Sequence, residues 1–438
     1  MNVELISVGT ELLLGNIVNT NANYLSRKCA DLGFTLYYQI TVGDNETRLT
    51  KVLEDALKRS DIIILTGGLG PTEDDMTKEA VARVLDRKLV MDEETREKIK
   101  AYFAFKNNNL PKDRQDSEIT INNWKQAMKI EGSIVVENDN GTAPGYIVEA
   151  EYDAGSANGS RKQTKRIILL PGPPGEMIPM FENRILPYLK NLQDRIFLSK
   201  MVKICGIGES KAETLILDLI NSQNNPTIAP YAKSGEVHFR VTAAAKNREE
   251  ANQLLKPILR ELENRFGSNI YTFEEKETLE EVVVKLLHQK KLTLATAESC
   301  TGGLFTGRIV NVSGVSDLLK EGFITYSNEA KLKYLGVKKE TLDQFGAVSE
   351  QTAREMAVGA AKIAGADTAV GITGIAGPDG GTATKPVGLV YISCYCNGKV
   401  TVRECRFRGD RQKVREQSVI HALDLLRRCI LEETEIDH

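Results

Sequence analysis

The sequence is poor in the residues from which several classes of protein are built. Its 438 residues include only four histidines, which argues against a histidine-rich metal centre. The seven cysteines are scattered apart from the pair Cys394-x-Cys396, and no second pair completes a zinc site. Lysine and arginine (57) nearly balance aspartate and glutamate (60), so the net charge of −3 gives no basic footprint for nucleic acid.

Long hydrophobic runs are missing as well. No stretch of 18 apolar residues exists, and the start Met1-Asn-Val-Glu-Leu-Ile lacks the basic residues of a signal peptide. We therefore expect a cytoplasmic protein with reduced thiols and no membrane partner. An apolar content of 41% and a charged content of 27% are typical of a soluble globular chain, whose length predicts two or three domains.

The first segment, residues 1–176, alternates short apolar runs with helical periodicity. The predicted elements are strand Val3–Val8, helix Thr20–Leu32, strand Thr35–Val42, helix Glu46–Arg59, strand Asp61–Thr66, helix Asp74–Leu85 and a hairpin of Tyr146–Tyr152 with Lys165–Leu170. Strands that alternate with helices favour an α/β fold with a doubly wound, mostly parallel sheet. The polar stretch Asp153–Thr164 is predicted to be the hairpin loop.

Two further α/β domains are predicted. Residues 177–275 form a small linking domain, with strands Lys200–Cys205 and Glu236–Thr242 and helices Glu209–Ile220 and Glu249–Phe266. Residues 276–434 form the last domain. Its predicted elements are helix Leu279–Gln289, a strand leading into Ser299, strand Phe323–Tyr326, helix Glu329–Leu335, helix Gln351–Ala364, strand Thr368–Thr373, antiparallel strands Gly388–Cys396 and Lys399–Phe407, and helix Arg411–Leu431.

A serine and a lysine stand at two strand-to-helix corners of the last domain. Ser299 ends an apolar run and precedes Cys300-Thr-Gly-Gly, and Lys331 follows the second corner at Tyr326. Ligands of open α/β sheets bind at this edge, where the next helix would aim its free N–H groups at the group that Ser299 attacks. Ser299 can be a nucleophile and Lys331 its base if burial or a nearby cation lowers the lysine pKa. Tyr326 could relay the proton.

Other residues of this domain complete the candidate site. Thr373, Gly374 and Gly377 end a strand and offer hydroxyl and backbone donors. Arg408, Arg411 and Arg415 lie where a strand meets the last helix, and they could lower the lysine pKa or bind a phosphate.

Simpler interpretations exist for the same residues. Ser299 could merely cap a helix and Lys331 could be a solvated helix residue, because capping serines and exposed lysines are common. Cys300 is a rival nucleophile, ranked second because no histidine near it in sequence would activate it.

A glycine-rich loop in the first segment, Gly67-Gly-Leu-Gly-Pro-Thr-Glu-Asp-Asp-Met-Thr77, follows a buried strand and opens a helix. Glycines let a backbone approach phosphates closely, and a helix N-terminus favours an anion. Asp74 and Asp75 would repel a bare phosphate, whereas a divalent cation between carboxylate and diphosphate would remove that conflict. Glu11 and Asp44 could add ligands or bind a ribose. Alternatively, the aspartates only favour the helix dipole.

Four strings of the last domain, AESCTGG, GFITYSNEAK, GAVSEQTAREMA and GITGIAGPDGG…KPVGLVYI, resemble the C-terminal domain of the CinA family, which also occurs alone as the nicotinamide-nucleotide amidase. The resemblance implies hydrolysis of the carboxamide of nicotinamide mononucleotide to nicotinate mononucleotide and ammonia, without a cofactor. It also implies that Ser299 is the nucleophile, assisted by Lys331 and Tyr326. The residues that it places at the substrate are Thr301, Gly302, Gly303, Asn328, Thr373, Gly374, Gly377 and Arg411.

The first segment resembles the molybdopterin-binding fold, specifically the N-terminal domain of CinA, through SVGTELLLGNIVNTN, VGDN, TGGLGPTEDDMT, NGTAPGY and LPGPPGEM. The resemblance implies ADP-ribose pyrophosphatase activity, giving AMP and ribose 5-phosphate, with a divalent metal of the magnesium, manganese or cobalt class and potassium. The implied nucleotide-binding residues are Gly67, Gly68, Gly70, Thr72, Asp44 and Thr142. The implied metal ligands are Asp74, Asp75 and Glu11.

The sequence thus predicts a bifunctional enzyme of pyridine-nucleotide recycling, and the family precedent predicts a homodimer. The alternative is a pterin-binding module or a competence-related scaffold whose first domain is inactive. The glycine and aspartate loop alone does not separate pterin binding from diphosphate hydrolysis.

Overall fold

The computed structural model describes residues 1–108, 121–153, 162–233 and 235–436. The chain divides into two compact units. The first comprises Met1–Phe197 with Ala244–Asn247, and the second comprises Leu198–Ala243 with Arg248–His438. No helix within the described ranges has the length and apolar character needed to cross a lipid bilayer. All seven cysteines are buried thiols.

The first unit contains a six-stranded sheet and a short two-stranded ladder. Its strands are β1 (Asn2–Val8), β2 (Thr35–Val42), β3 (Ile62–Thr66), β4 (Leu89–Met91), β5 (Met128–Ile130), β6 (Ile134–Val136), β7 (Gly145–Asp153) and β8 (Lys162–Leu170). Its helices are α1 (Thr10–Leu13), α2 (Thr20–Asp31), α3 (Glu46–Arg59), α4 (Thr77–Val84), α5 (Glu93–Asn108), α6 (Pro174–Met180) and α7 (Leu186–Lys190), with a 3₁₀ segment at Ile121–Ala127 and a π segment at Phe181–Ile185.

The six strands lie in the order β2-β1-β3-β8-β7-β6. The first four are parallel, and β7 and β6 add antiparallel pairs. Each face of the sheet packs against its own hydrophobic core. Consecutive residues of a strand point to opposite faces, so Leu5 and Ile6 of β1 belong to different hydrophobic clusters. This confirms the predicted doubly wound, mostly parallel sheet. The chain leaves β1 toward β2 on one side and returns to β3 on the other, which creates a switch point at the carboxyl ends of β1 and β3.

Two local predictions in this unit need comment. Helix α4 begins at Thr77, three residues after the expected start at Asp74, so Asp74 and Asp75 lie in the turn before the helix. The predicted loop Asp153–Thr164 overlaps both hairpin strands at its ends, and residues 154–161 lie outside the described ranges.

The second unit contains two sheets. Its strands are β9 (Ile196–Cys205), β10 (Thr227–Lys233), β11 (Glu236–Ala245), β12 (Ile270–Thr272), β13 (Leu294–Glu298), β14 (Leu319–Ile324), β15 (Thr368–Gly374), β16 (Leu389–Cys396) and β17 (Lys399–Arg406). Its helices are α8 (Glu209–Leu215), α9 (Leu217–Ser222), α10 (Arg248–Phe266), α11 (Leu279–Lys290), α12 (Leu304–Val310), α13 (Asn328–Leu335), α14 (Lys339–Phe345), α15 (Glu350–Ala364) and α16 (Arg411–Ile436), with 3₁₀ segments at Gly267–Asn269 and Val315–Asp317.

The small sheet has the order β10-β11-β9-β12 and the larger one β14-β13-β15-β16-β17. In the larger sheet β13 pairs in parallel with both β14 and β15, while β16 and β17 are antiparallel, as predicted. The chain moves from β13 to β14 on one side and to β15 on the other. The carboxyl end of β13, where Ser299 stands, is therefore a second switch point. The predicted helix Glu209–Ile220 is two helices that meet at Ile216.

A buried carboxylate on α16 connects this last helix to the small sheet through hydrogen bonds. Asp424 is fully buried and accepts hydrogen bonds from the Cys205 thiol at 3.1 Å and from Arg403, Arg427 and Arg428 at 2.9–3.2 Å. Although burial opposes ionisation, these donors lower the pKa of Asp424 to about 2. Arg427, itself buried, also donates to main-chain carbonyls beside β12.

Candidate active sites

Ser299 stands directly after β13 with its side chain almost enclosed. Its N–H donates to the carbonyl of Ile372 at 2.9 Å, which continues the parallel ladder to β15 by one residue. The N–H of Thr325 likewise donates to the carbonyl of Glu298 at 2.9 Å on the β14 side. The main chain at Glu298 and Ser299 is thus hydrogen-bonded to both neighbouring strands, and 8% of the surface of Ser299 remains exposed.

Lys331 lies in the first turns of α13 and is 1% exposed. Its Nζ is 3.0 Å from Ser299 Oγ, 2.8 Å from the carbonyl of Thr325 and 3.2 Å from the carbonyl of Tyr326. A neutral amine has two hydrogens and one lone pair, so it can donate to both carbonyls while it accepts the Ser299 hydroxyl proton. Burial lowers the pKa of Lys331 to about 8, which makes that neutral form accessible near physiological pH.

The turn after Ser299 is organised by a residue that the sequence interpretation passed over. Glu298 is fully buried, and its carboxylate accepts the N–H groups of Gly303, Phe305 and Thr306 at 2.8–3.1 Å. The N–H of Gly302 donates to the carbonyl of Ser299. The prediction that the helix after Ser299 aims its free N–H groups at the substrate is therefore wrong for these donors, because the carboxylate from the preceding strand takes them. The signal was visible: an acid ends an apolar strand just before the turn.

Tyr326 has a different position from the one predicted. Its ring is 59% exposed, and its hydroxyl accepts a hydrogen bond from Arg411 Nη2 at 3.0 Å. Arg411 Nη1 also donates to the carbonyl of Gly377 at 2.9 Å. The predicted proton relay through Tyr326 is not needed, since Lys331 reaches Ser299 directly. Tyr326 and Arg411 instead join two loops at the rim of the site.

Some of the remaining predicted residues at this edge of the sheet make hydrogen bonds within the protein. Thr373 is 1% exposed and donates its hydroxyl to the carbonyl of Ala347 at 2.7 Å, while Gly374 ends β15. Asn328 is exposed at the start of α13. Burial raises the pKa of the Cys300 thiol to about 12, which keeps this rival nucleophile protonated.

Three buried polar atoms near Ser299 have no hydrogen-bond partner within the described chain. They are Oγ1 of Thr301, Oγ1 of Thr325 and Nε of Arg415. Arg415 belongs to this edge because its Nη2 donates to the carbonyl of Thr301 at 2.7 Å. Burying a polar group without a partner costs about 1–3 kcal/mol, so each of these atoms needs a partner from outside the protein chain, either water or a ligand.

The first unit has a cleft of about 440 Å³ at its own switch point. The predicted residues that line it are Glu11, Asp44, Gly67, Gly68, Gly70, Asp74, Asp75 and Thr142. Gly67 has φ +96°, and a Cβ there would lie 2.2 Å from the carbonyl oxygen of Val8, so only glycine lets the loop approach β1 this closely. Thr72 holds the loop shape by donating its N–H to Asp75 at 3.0 Å.

This cleft is strongly acidic. Its carboxylates are Glu11, Asp44, Asp74, Asp75 and Glu176, and among the described lining residues none is lysine or arginine. In the described chain no three histidine, cysteine or acidic side chains converge as a metal site, so Asp74, Asp75 and Glu11 do not form a complete ligand set. Asp44 accepts the N–H and hydroxyl of Thr10, at 2.8 and 2.9 Å.

Sequence interpretation also missed Gln126 as a cleft residue. Gln126 is 2% exposed, lines the cleft, and has a buried Oε1 without a partner in the described chain. Its neighbour Lys125 supports the glycine loop by donating to the carbonyls of Thr72, at 2.9 Å, and Asp75. The pattern Asn123-x-x-Gln126-Ala127, which resembles one of the CinA N-terminal domain, is a signal for this residue in the sequence, although it does not reveal the contact with the cleft.

Three family profiles match consecutive parts of this chain. They are described as "Probable molybdopterin binding domain" (residues 4–191), "Damage-inducible protein CinA KH domain" (residues 199–272) and "CinA C-terminal domain" (residues 276–430).

Known proteins are similar over nearly all of the chain. A CinA-like protein of Kosmotoga olearia is 52% identical over 431 residues, which make up 98% of this chain and 99% of that protein. A CinA-like protein of Dictyoglomus turgidum is 51% identical over 98% of this chain and 100% of its own length. Among solved structures, the competence/damage inducible protein CihA from Agrobacterium tumefaciens is 44% identical, covers 34% of this chain and 93% of its own, and has a TM-score of 0.34.

Proposed function

This chain belongs to the CinA family, and on that premise we propose that its last domain is a serine amidase acting on nicotinamide mononucleotide. The observation that carries the proposal is the 3.0 Å contact between Ser299 Oγ and Lys331 Nζ. The contact joins a nucleophile and a base at the carboxyl edge of a parallel sheet, where ligands of this fold class bind.

The chemistry follows from the contacts. Ser299 Oγ attacks the carboxamide carbon while its proton passes to the lone pair of Lys331 Nζ, which then returns the proton to the departing nitrogen as ammonia leaves. Water attacks the resulting ester by the same route in reverse and releases the carboxylate, nicotinate mononucleotide. The carbonyls of Thr325 and Tyr326 hold the lysine in place and stabilise its transient positive charge.

Unpartnered donors support the assignment of the substrate. The hydroxyls of Thr301 and Thr325 fit the developing oxyanion, since the first-turn N–H groups of α12 are held by Glu298. Nε of Arg415 fits a phosphate oxygen, and Arg411 adds a second guanidinium at the rim. A carboxamide at Ser299 with a phosphate toward these arginines describes a nicotinamide nucleotide.

For the first unit we propose hydrolysis of the diphosphate of ADP-ribose. A glycine loop and an acidic cleft share one switch point, which fits a diphosphate only when a cation offsets the carboxylates. Asp74, Asp75 and Glu11 are the residues that would hold a divalent metal, with phosphate oxygens and water completing its shell because the protein alone offers no three-ligand set. Such a metal would supply charge neutralisation and an activated water. Gly67, Gly68 and Thr142 would bind the phosphates.

The description of the first family profile favours a second ligand for this cleft, a pterin. Pterin quenching of the protein fluorescence without AMP formation from ADP-ribose would support this binding function over hydrolysis.

A single substitution in one unit should abolish one of the two proposed activities and leave the other intact. We predict that Ser299→Ala abolishes ammonia release from nicotinamide mononucleotide, by roughly 10³-fold or more, and leaves AMP formation from ADP-ribose intact. Asp74→Ala should do the reverse, because Asp74 lies in the other unit. Both reactions are followed on the full chain, with the exposed Ser313→Ala as matched control. Undiminished ammonia release by Ser299→Ala would refute the amidase assignment.

A further inference from the structure

A partly open cavity in the second unit is unused by the proposed chemistry. This cavity, of about 520 Å³, lies between the small sheet and helices α11, α12 and α16. Its volume falls within the range of small-molecule sites, about 300–1,000 Å³. Its lining combines apolar residues with a set of polar and charged residues, and the apolar ones are Leu279, Leu304, Val419 and Ile420.

The polar residues of this lining include a buried triad. Glu236 Oε2 accepts the Tyr271 hydroxyl at 2.8 Å and lies 2.9 Å from His238 Nε2. Glu236, Tyr271 and His238 are 8%, 8% and 4% exposed as whole residues. Although burial opposes it, hydrogen bonds from His238 and Tyr271 lower the pKa of Glu236, so the carboxylate stays charged. Burying such a charged group is costly, and packing alone would be served by apolar side chains.

Three basic side chains and two carboxylates, Glu236 and Glu416, line the same space. Lys203, Lys233 and Arg308 face it from β9, β10 and α12. Burial, and then the charge of Lys233, lower the pKa of Lys203, so the two ammonium groups act on each other across the cavity. Arg308 is already paired with Glu280 at 3.0 Å, and Lys203 donates to the carbonyl of Glu277 at 2.7 Å. Lys233 is therefore the cation best placed to meet an incoming anion, which would also relieve its repulsion of Lys203.

We propose that this cavity is a second ligand site, separate from Ser299, that binds a small organic anion consisting of a carboxylate or phosphate on an apolar or aromatic body. The anionic group lies between Lys203 and Lys233, and the body packs on Leu304 and Ile420. The buried triad offers hydrogen bonds to polar atoms of the ligand. The site does not depend on the amidase proposal.

The location gives such a ligand a route to the amidase residues. Leu304 and Arg308 lie on α12, and the first-turn N–H groups of this helix are fixed by Glu298, the residue before Ser299. Glu416 of the cavity wall is adjacent in sequence to Arg415, which donates to Thr301.

Calorimetry on the full chain tests the site with three probes: phenyl phosphate, benzoate and inorganic phosphate. We expect phenyl phosphate or benzoate to bind more tightly than inorganic phosphate, because only they carry an apolar body. Lys233→Glu should weaken that binding at least about tenfold, whereas Lys233→Arg should keep it. The matched control is Lys200→Glu, which lies on β9 of the same sheet but outside the cavity, and which is paired with Glu274 at 3.3 Å.

Each outcome of the calorimetry either supports or overturns the proposed site. Binding that is weakened by Lys233→Glu and spared by the other two variants supports the site, and the better of phenyl phosphate and benzoate identifies the anionic group. Binding that survives Lys233→Glu places the anion elsewhere and overturns the proposal. Absence of binding by all three probes at millimolar concentration overturns it as well.

Discussion

Lys78 of the first unit and Lys331 of the second are buried in nearly the same way, although we propose a catalytic role only for Lys331. Lys78 is 2% exposed and Lys331 is 1% exposed, and burial lowers the pKa of both to about 8. Each Nζ donates to two main-chain carbonyls, which for Lys78 are those of Lys125 at 2.6 Å and Met128 at 3.0 Å. Only Lys331 has a serine hydroxyl as its third neighbour. A lowered lysine pKa is thus insufficient for catalysis unless a nucleophile lies within hydrogen-bond distance.

Replacing each lysine by methionine should give the largest contrast. We predict that Lys331→Met lowers kcat for ammonia release by roughly 10²–10⁴-fold, because the proton of Ser299 loses its acceptor. Lys78→Met should leave ammonia release unchanged, since Lys78 supports the strand and 3₁₀ segment beside the acidic cleft. Parallel measurements of kcat for ammonia release on both variants check this. Equal losses in the two variants would remove the distinction between the lysines.

The pH dependence of ammonia release should show the same distinction. Since the base must be uncharged, kcat is expected to rise about tenfold per pH unit below pH 8 and to level off above it. The contribution of Lys331 to the stability of the fold should also change with pH in the same direction. Between about 8 and the ordinary value of 10.5 the unfolded lysine holds a proton that the folded one lacks, so the contribution of Lys331 to the free energy of unfolding rises with pH. A profile that falls with pH between 6 and 8 would contradict a neutral lysine base.

Glu298 allows a smaller test, of the scaffold around Ser299. Replacing it by glutamine removes the charge that accepts three main-chain N–H groups, and we expect the free energy of unfolding to drop by about 2–4 kcal/mol. The control is Glu281→Gln, where the exposed N3 acid of a capping box accepts one N–H from Thr278 at 2.7 Å. A glutamine can also make that bond, so the change should stay within about 0.5 kcal/mol. Urea unfolding measures both, and similar losses would deny Glu298 a special role.

Local sequence patterns could predict those helices and strands whose formation depends on residues that are close together in the chain. Apolar runs and turn residues located most strands and helices of both units, and the corners at Ser299 and Lys331 followed from strand-to-helix connections. Strand β10 was not predicted because Pro230 lies within it, and a proline is tolerated there only because β10 is an edge strand. Edge position depends on the tertiary fold and is not visible in a local window.

The details of the sites depend on contacts between distant parts of the chain. Gln126 reaches the glycine loop over more than fifty residues, and Arg415 reaches Thr301 over more than a hundred. Helix α4 also begins later than predicted, because the Asp75 side chain accepts the N–H of Thr72 in a turn and Asp75 does not lie in the helix. Such side-chain to main-chain bonds decide which donors remain for a substrate, and residue type alone does not reveal them.

The carboxylate of Asp424 limits how this protein can be divided. A fragment that began near residue 276 would lose the Cys205 thiol and the carbonyls of Ser268 and Ile270, and Arg427 would keep its charge without these acceptors. Three arginines would then share one acid at a freshly exposed surface. We therefore expect the last domain to be less stable alone than within the full chain, because water would have to replace these contacts on α16.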